Sequence, residues 1–415
     1  MQNVTGTTTF GHITINMGTM VSLLSSGQKV KGILLCNGVL NSAGNLTLLS
    51  TAAGTALISG NSIGFVNGTV TQQRFIPAAK TKGYKHYSSA FSDATVGQFA
   101  NFINLNLGPQ NSSPFPTLFK FSEAAASPYF SNGWIEAAPV GQLNTPISIA
   151  QGYTAQLGTS TGNDITTYLY GKVNNGDISV NLTKQNPGSS KGDGWNLVGN
   201  PYPSPVDLNK LPFDIANINK SISIYISTSV YNGYYGYYNA MMQMALNGGT
   251  RHLGALHAFF VQCNNTSGGL LTFENNMRSD VISPQLYKTE PLYDFPFIKL
   301  ESSNLSANVF ADETAICFVD DATHNFDKDY DANKIMNTES DMPNFYSAYN
   351  GQNLAINTLP AKFNQEYIIP LGFSAKNSGE YIIKATSING FDNDTEIMFE
   401  DVKNNYTTDI QNNPV

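Results

Sequence analysis

Along most of the chain, apolar residues alternate with polar ones at a period of two, and helical spacing is rare. Over residues 1–75, short apolar runs (Ile13-Thr14-Ile15, Val30 to Leu35, Leu46-Thr47-Leu48, Ala56-Leu57-Ile58) are separated by Asn-Gly, Ser-Gly and Ala-Gly turns. Short strands with small-residue corners are the pattern of a parallel β-solenoid, in which each rung buries its strands against the next. An antiparallel meander would use the same turn chemistry; the solenoid is the preferred reading. Over residues 76–290 the alternation is clean: Ile178, Val180 and Leu182 against Ser179, Asn181 and Thr183, then Ile222, Ile224 and Ile226 against Ser223, Tyr225 and Ser227. One apolar and one polar face describe half-buried antiparallel strands. Phe297 to Leu300, Thr314 to Val319, Tyr367 to Leu371, Tyr381 to Ala385 and Glu396 to Phe399 repeat the pattern over residues 291–415. The best helical segment is Val96 to Leu105. The predicted fold is therefore all-β: a short N-terminal β-solenoid (1–75), an antiparallel β-sandwich of jelly-roll or Greek-key kind (76–290), and a smaller acidic β-sandwich (291–415).

Composition agrees with strands. Charged residues are only 13% of the chain, whereas exposed helical faces draw heavily on Lys, Glu and Arg. A net charge of −8 leaves no basic surface to replace the counterions of a nucleic acid. No apolar stretch is long enough for a membrane helix, so membrane insertion is not expected. Charge is unevenly spread: residues 1–290 sum to +4 and residues 291–415 to −12, which places a boundary near Pro291. Cys36, Cys263 and Cys317 lie far apart and imply no disulfide framework. Few Cys with abundant Thr, Asn, Ser and Gly suit an exported bacterial surface protein. No signal peptide is visible after Met1, so its signal sequence is expected to be absent from this chain.

Candidate chemistry is sparse. Gly60-Asn61-Ser62-Ile63-Gly64 matches a hydrolase nucleophile elbow, but strand and turn sequence follows where a helix is required. His12, His86, His252, His257 and His324 show no metal-binding spacing, and His252 and His257 fall on opposite faces of a strand. Glu123, Glu136 and Glu274 are the acids that could serve a jelly-roll glycoside hydrolase, with nothing in the sequence to show the carboxyl separation that chemistry needs. The densest acidic run contains Asp320, Asp321, Asp327, Asp329 and Asp331. Asp327, Asp329 and Asp331 have the first ligand spacings of an EF-hand, but Ala332 and Thr338 replace its Gly and Glu. A looser calcium site is the functional reading there, and a solvated acidic loop the plain one. Tyr231, Tyr234, Tyr235, Tyr237 and Tyr238 form an aromatic segment hinged by glycines, suited either to stacking on sugars or to covering a sheet rim.

Gly194-Trp195-Asn196-Leu197-Val198-Gly199-Asn200-Pro201-Tyr202-Pro203-Ser204-Pro205 is the most distinctive string. It predicts a buried strand centred on Trp195 and Leu197, stopped by a tight turn in which Tyr202–Pro203 is a candidate cis bond. It supplies no acid, base or nucleophile, so a structural role is expected for Trp195, Asn196, Gly199, Asn200, Pro201, Tyr202 and Pro203. This string resembles a segment common in large surface proteins of the Bacteroidetes phylum, typically exported by the type IX secretion system and including gliding-motility adhesin-like chains. Val70 to Ala78, Ala258 to Gln262 with Leu271 to Arg278, Phe318 to Asp331, and Leu354 to Asn357 with Ile369 to Phe373 resemble further segments of those proteins. The resemblance implies export and a β-rich architecture. In that family another strand or two, and often a sorting domain, would follow Glu400-Asp401; the expectation is that the remainder was cut away, or removed by processing, or that the last sheet is left incomplete.

Together these readings predict a non-enzymatic extracellular structural protein on the bacterial cell surface. It would assemble head-to-tail with copies of itself into a filament or surface layer, because unpaired strand edges are templates for another chain. The alternative is an adhesin that binds a surface polysaccharide through the tyrosine segment.

Overall fold

A computed structural model describes residues 1–158, 162–185, 193–212, 216–282, 293–306, 310–339, 341–363, 365–392 and 394–414. The boundary expected at Pro291 lies outside the described residues. The fold is nearly all β, about 45% strand and 6% helical.

The solenoid forms as expected, with three sides and about three turns. Strands Gln2–Val4, Met20–Leu23, Val39–Asn41 and Phe65–Asn67 stack in parallel on one side. Thr9–Phe10, Gln28–Val30, Leu46–Leu48 and the start of Thr69–Ile76 make the second. Ile13–Ile15, Ile33–Cys36 and Leu57–Ile58 make the third. Alternation turns Leu23, Val30, Leu34, Leu40, Leu48, Ile58 and Val70 inward, all essentially sealed from solvent. The corners are tight enough to demand glycine: a Cβ on Gly64 would sit 1.9 Å from the carbonyl of Gly38 in the rung below. A hairpin, Ser50–Thr51 with Gly54–Thr55, bulges out of the third turn.

The last solenoid strand does not end the sheet. Thr69–Ile76 pairs on its other edge, antiparallel, with Ile165–Lys172. Beyond it lie further groups of antiparallel strands, among them the short pair Val206–Asp207 with His252–Leu253. Tyr84–Tyr87, Tyr153–Gln156, Leu118–Phe121 and Trp134–Glu136 form one sheet; Trp195–Gly199 pairs with Ala258–Cys263, and Ile178–Leu182 with Gly269–Phe273. Solenoid residues and Tyr87, Phe91, Phe99, Leu118 and Tyr153 share one apolar core. Val96–Asn101 is a short 3-10 helix instead of the longer helix expected. Gln98 N bonds to Thr95 O and Phe102 N to Phe99 O, three residues back, the tighter ladder of a 3-10 turn.

By its internal contacts the chain divides into two compact units. The first is Met1–Ile218, Ser227–Tyr231 and Arg251–Tyr287; the second is Asn219–Ile226, Asn232–Thr250 and Lys288–Val415. The second unit thus draws strands Gly233–Asn239 and Met244–Leu246 from the middle of the sequence. Its main sheet runs Leu371–Ser374, Asn344–Tyr349, Gln352–Pro360, Ala311–Val319, Phe297–Asn304, Tyr381–Asn389. All those pairs are antiparallel except Ala311–Val319 with Gln352–Pro360, which is parallel. A C-terminal hairpin, Met398–Asp401 with Tyr406–Asp409, adjoins Ile397 and Ile410, which enter a core with Leu300, Ile316, Phe318 and Phe345.

Candidate functional site

The Gly194–Pro205 string is a structural knot, as its residue types imply. Trp195 and Leu197 are buried in a strand, and Gly194 adopts φ +74° with space for no side chain against Cys263. Asn196 ties the strand to Thr183, donating from Nδ2 to its carbonyl (2.9 Å). Asn200 is wholly buried: Nδ2 donates to the carbonyls of Ser204 (2.8 Å), Leu253 (3.1 Å) and Gly254 (3.0 Å), while Oδ1 accepts from Tyr202 N (2.9 Å). The side chain of Asn200 thus makes the turn, and the cis bonds lie elsewhere, at Ser113–Pro114 and Ser127–Pro128, not at Tyr202–Pro203. The Pro201 carbonyl accepts from Asn174 Nδ2, and the Pro203 carbonyl accepts from Ile58 N of the solenoid. Gly199 packs against Ser88, where any side chain would collide. Tyr202 donates to the Gly176 and Phe273 carbonyls, and Arg278 lies 5.1 Å over its ring.

The tyrosine segment is a strand and not a loop. Tyr235 (5%), Tyr237 (0%) and Tyr238 (3%) are buried, Tyr234 is half-buried, and Tyr231 alone is well exposed at 70%. The stacking platform expected from sequence therefore offers one open ring. Gly233 and Gly236, read as hinges, are strand positions where a Cβ would meet backbone at 2.5–2.8 Å. Tyr237 is fixed by its hydroxyl, which donates to Ile335 O and accepts from Ile335 N.

The five acidic-run carboxylates do not converge, and among the described residues no three metal-binding side chains group to hold an ion. Asp320 and Asp321 are exposed. Asp327 accepts from the hydroxyl of Thr323, and Asp329 pairs with Lys220 (3.5 Å) and Lys328 (2.8 Å). Asp331 points inward and accepts from Asp327 N and Thr358 N, both at 2.7 Å. Burial, aided by the neighbouring Asp327, pushes its carboxyl up to about 7. The folded state then holds a proton that the unfolded chain releases nearer its ordinary value. Stability attributable to Asp331 is present below the ordinary carboxylate range and is lost as pH rises toward the folded value. Urea midpoints measured at about pH 5 and about pH 8 are expected to fall with pH in the native protein, and to fall less in Asp331→Asn. An unchanged slope in that variant would assign the pH dependence to other groups.

The candidate hydrolytic groups lie on separate elements. Glu123 is buried and accepts from Gln185 N and Gly194 N; Glu136 sits half-buried in strand Trp134–Glu136; Glu274 accepts from Asn276 beside a short 3-10 turn. Ser62 accepts from Cys36 N, and the next element is the strand Phe65–Asn67. Burial holds both His86 and His257 at about 3, so neither ring charges near neutral pH.

Sequence reasoning passed over the groups that the fold isolates most. Arg74 is caged among His86 O, Leu256 O and the face of Tyr87. Lys85, desolvated and beside Arg74, is lowered to about 7; its amine donates to Lys82 O and Ser227 Oγ. In the second unit, Lys334 and Asp312 form an ion pair at 0% exposure on both sides. Surface features are plainer. A shallow groove of about 460 Å³, lined by Asn181, Thr183, Lys184, Asn217, Ser267 and Leu270, carries amides and hydroxyls but no acid–base pair. On the first solenoid side, Met20, Val39 and Phe65 form an outward apolar row beside a ladder of Ser22, Asn41 and Asn67, bonded side chain to side chain.

A family model described as a domain of unknown function (DUF8693) matches residues 3–415, and the chain belongs to that family. No curated protein and no solved structure matches it.

Proposed function

We propose that this chain is a non-enzymatic extracellular structural protein that assembles with copies of itself by adding strands across sheet edges. The observation that carries the reading is the edge strand Leu371–Ser374. Among the described residues it pairs on one side only, with Asn344–Tyr349; it carries Phe373 at 43% exposure and follows Ile368 at 83%. Natural edges are usually blunted by charge, bulges or a covering element, because unpaired N–H and C=O groups template another strand. The amide- and hydroxyl-rich composition and the resemblance to exported surface proteins support an extracellular setting.

Light scattering and negative-stain microscopy across a concentration series test the reading. Native protein is expected to grow beyond its 44.9 kDa monomer into extended particles, and Ile368→Lys with Phe373→Lys to hold it at the monomer. A native protein that stays monomeric at every concentration would sink the proposal.

A further inference from the structure

Lys334 and Asp312 meet in a place closed to water. Neither side chain has any exposed surface, and Lys334 Nζ lies 2.5 Å from both Asp312 Oδ1 and Oδ2. Ammonium–carboxylate hydrogen bonds ordinarily settle at about 2.7–2.9 Å. Nζ thus stands equally close to both oxygens, within short reach of the carboxyl group as a whole.

The backbone holds both partners. Asp312 stands on strand Ala311–Val319, and Lys334 follows Ala332–Asn333. These two strands flank Gln352–Pro360 and share one partner, Ile356, which pairs with Ala315 on one side and Ala332 on the other. Lys334 N is anchored on Asn353 O at 2.7 Å. Each carboxylate oxygen also has a second donor: Asn247 Nδ2 to Oδ1 and Phe345 N to Oδ2, both 2.7 Å. The Tyr237 ring lies 5.5 Å from the amine.

We propose that Lys334 Nζ and Asp312 Cγ condense to an amide, a covalent crosslink over the central strand of this sheet. The atoms balance within the pair. One ammonium proton passes to a carboxylate oxygen, leaving a neutral amine and a carboxylic acid. The amine lone pair then forms the N–C bond at Cγ. The Asn247 and Phe345 N–H groups stand where negative charge develops on the carboxyl oxygens. The C–OH bond breaks, and the hydroxyl leaves with a second proton from nitrogen as water. No oxidant, cofactor or activated reactant is required. Burial favours the first proton transfer, since desolvation lowers the affinity of Lys334 for its proton. Fixed positioning replaces the entropy cost of encounter.

Intact-mass spectrometry of the denatured full chain tests this directly. The expected mass is one water below that of the sequence, with a digest yielding a branched peptide that joins the Lys334 and Asp312 segments. Asp312→Asn is expected to reach the same final mass by losing ammonia. Lys334→Arg keeps the positive charge but lacks the amine, and is expected to show its full sequence mass. Native folded protein at full sequence mass, with no branched peptide, overturns the proposal whatever the variants do.

Discussion

Asp312→Ala is expected to destabilise the second unit by at least about 3–5 kcal/mol, because it buries the Lys334 amine without its partner and abolishes the crosslink proposed between them. The reason is the completeness of the enclosure. Lys334 has no exposed surface to retreat to, and Asp312 also anchors Asn247 Nδ2 and Phe345 N. Removing one carboxylate therefore strands a cation, an amide and a backbone N–H together. For a unit of this size the loss corresponds to a fall in midpoint temperature on the order of 10 °C. A double replacement, Asp312→Leu with Lys334→Met, leaves no buried charge unpaired and is expected to recover only the part of that loss due to the stranded cation. Thermal and urea unfolding of the single and double variants check this. A single variant within about 1 kcal/mol of native would mean that water reaches the pair after all.

Asn200→Ala is the second large effect, at about 3–5 kcal/mol in the first unit. Its amide satisfies three carbonyls and one N–H with zero exposure, and each buried polar group left unmade costs about 1–3 kcal/mol, less than additively. Asn200→Asp keeps the shape but replaces a double donor with an acceptor facing those three carbonyls, so it is expected to be no better. Pro203→Ala, which removes none of those hydrogen bonds, is expected to be mild. The urea midpoint ranks the three; equal small shifts would show that neither Asn200 nor Pro203 holds the turn.

The residues that could be read in advance are those whose neighbours in space are set by local pattern. The alternation of Ile178, Val180 and Leu182 needs only the two faces of one strand, and it appears as expected in Ile178–Leu182. The solenoid was legible because its corners force small residues, as at Gly38 and Gly64. Of the two readings of the tyrosine segment, the sheet-covering one fits the strand, and the glycines misled because glycine has two causes. Flexibility was inferred, whereas Gly233 and Gly236 are there for close approach of backbone. Asp331 looked like a calcium ligand by spacing, yet its carboxyl turns inward to cap two amides. Lys334 and Asp312 carried no signal, being 22 positions apart with no periodicity to link them. Their meeting depends on two strands flanking a third, a relation that only the folded sheet supplies.

The division of the chain has a consequence for dissection and for force. Among the described residues it passes between the two units at Ile218–Asn219, Ile226–Ser227, Tyr231–Asn232 and Thr250–Arg251. Neither unit is therefore a contiguous stretch that one cut could release, and a truncation after residue 250 would strip the second unit of its main sheet. Synthesis must likewise reach the C-terminal strands before the mid-chain segments, with the buried rings of Tyr235 and Tyr237, find their places. Tension drawn between the units is divided over several covalent strands of one chain, as in a stitched seam, where a simple tandem array would hang on a single peptide link.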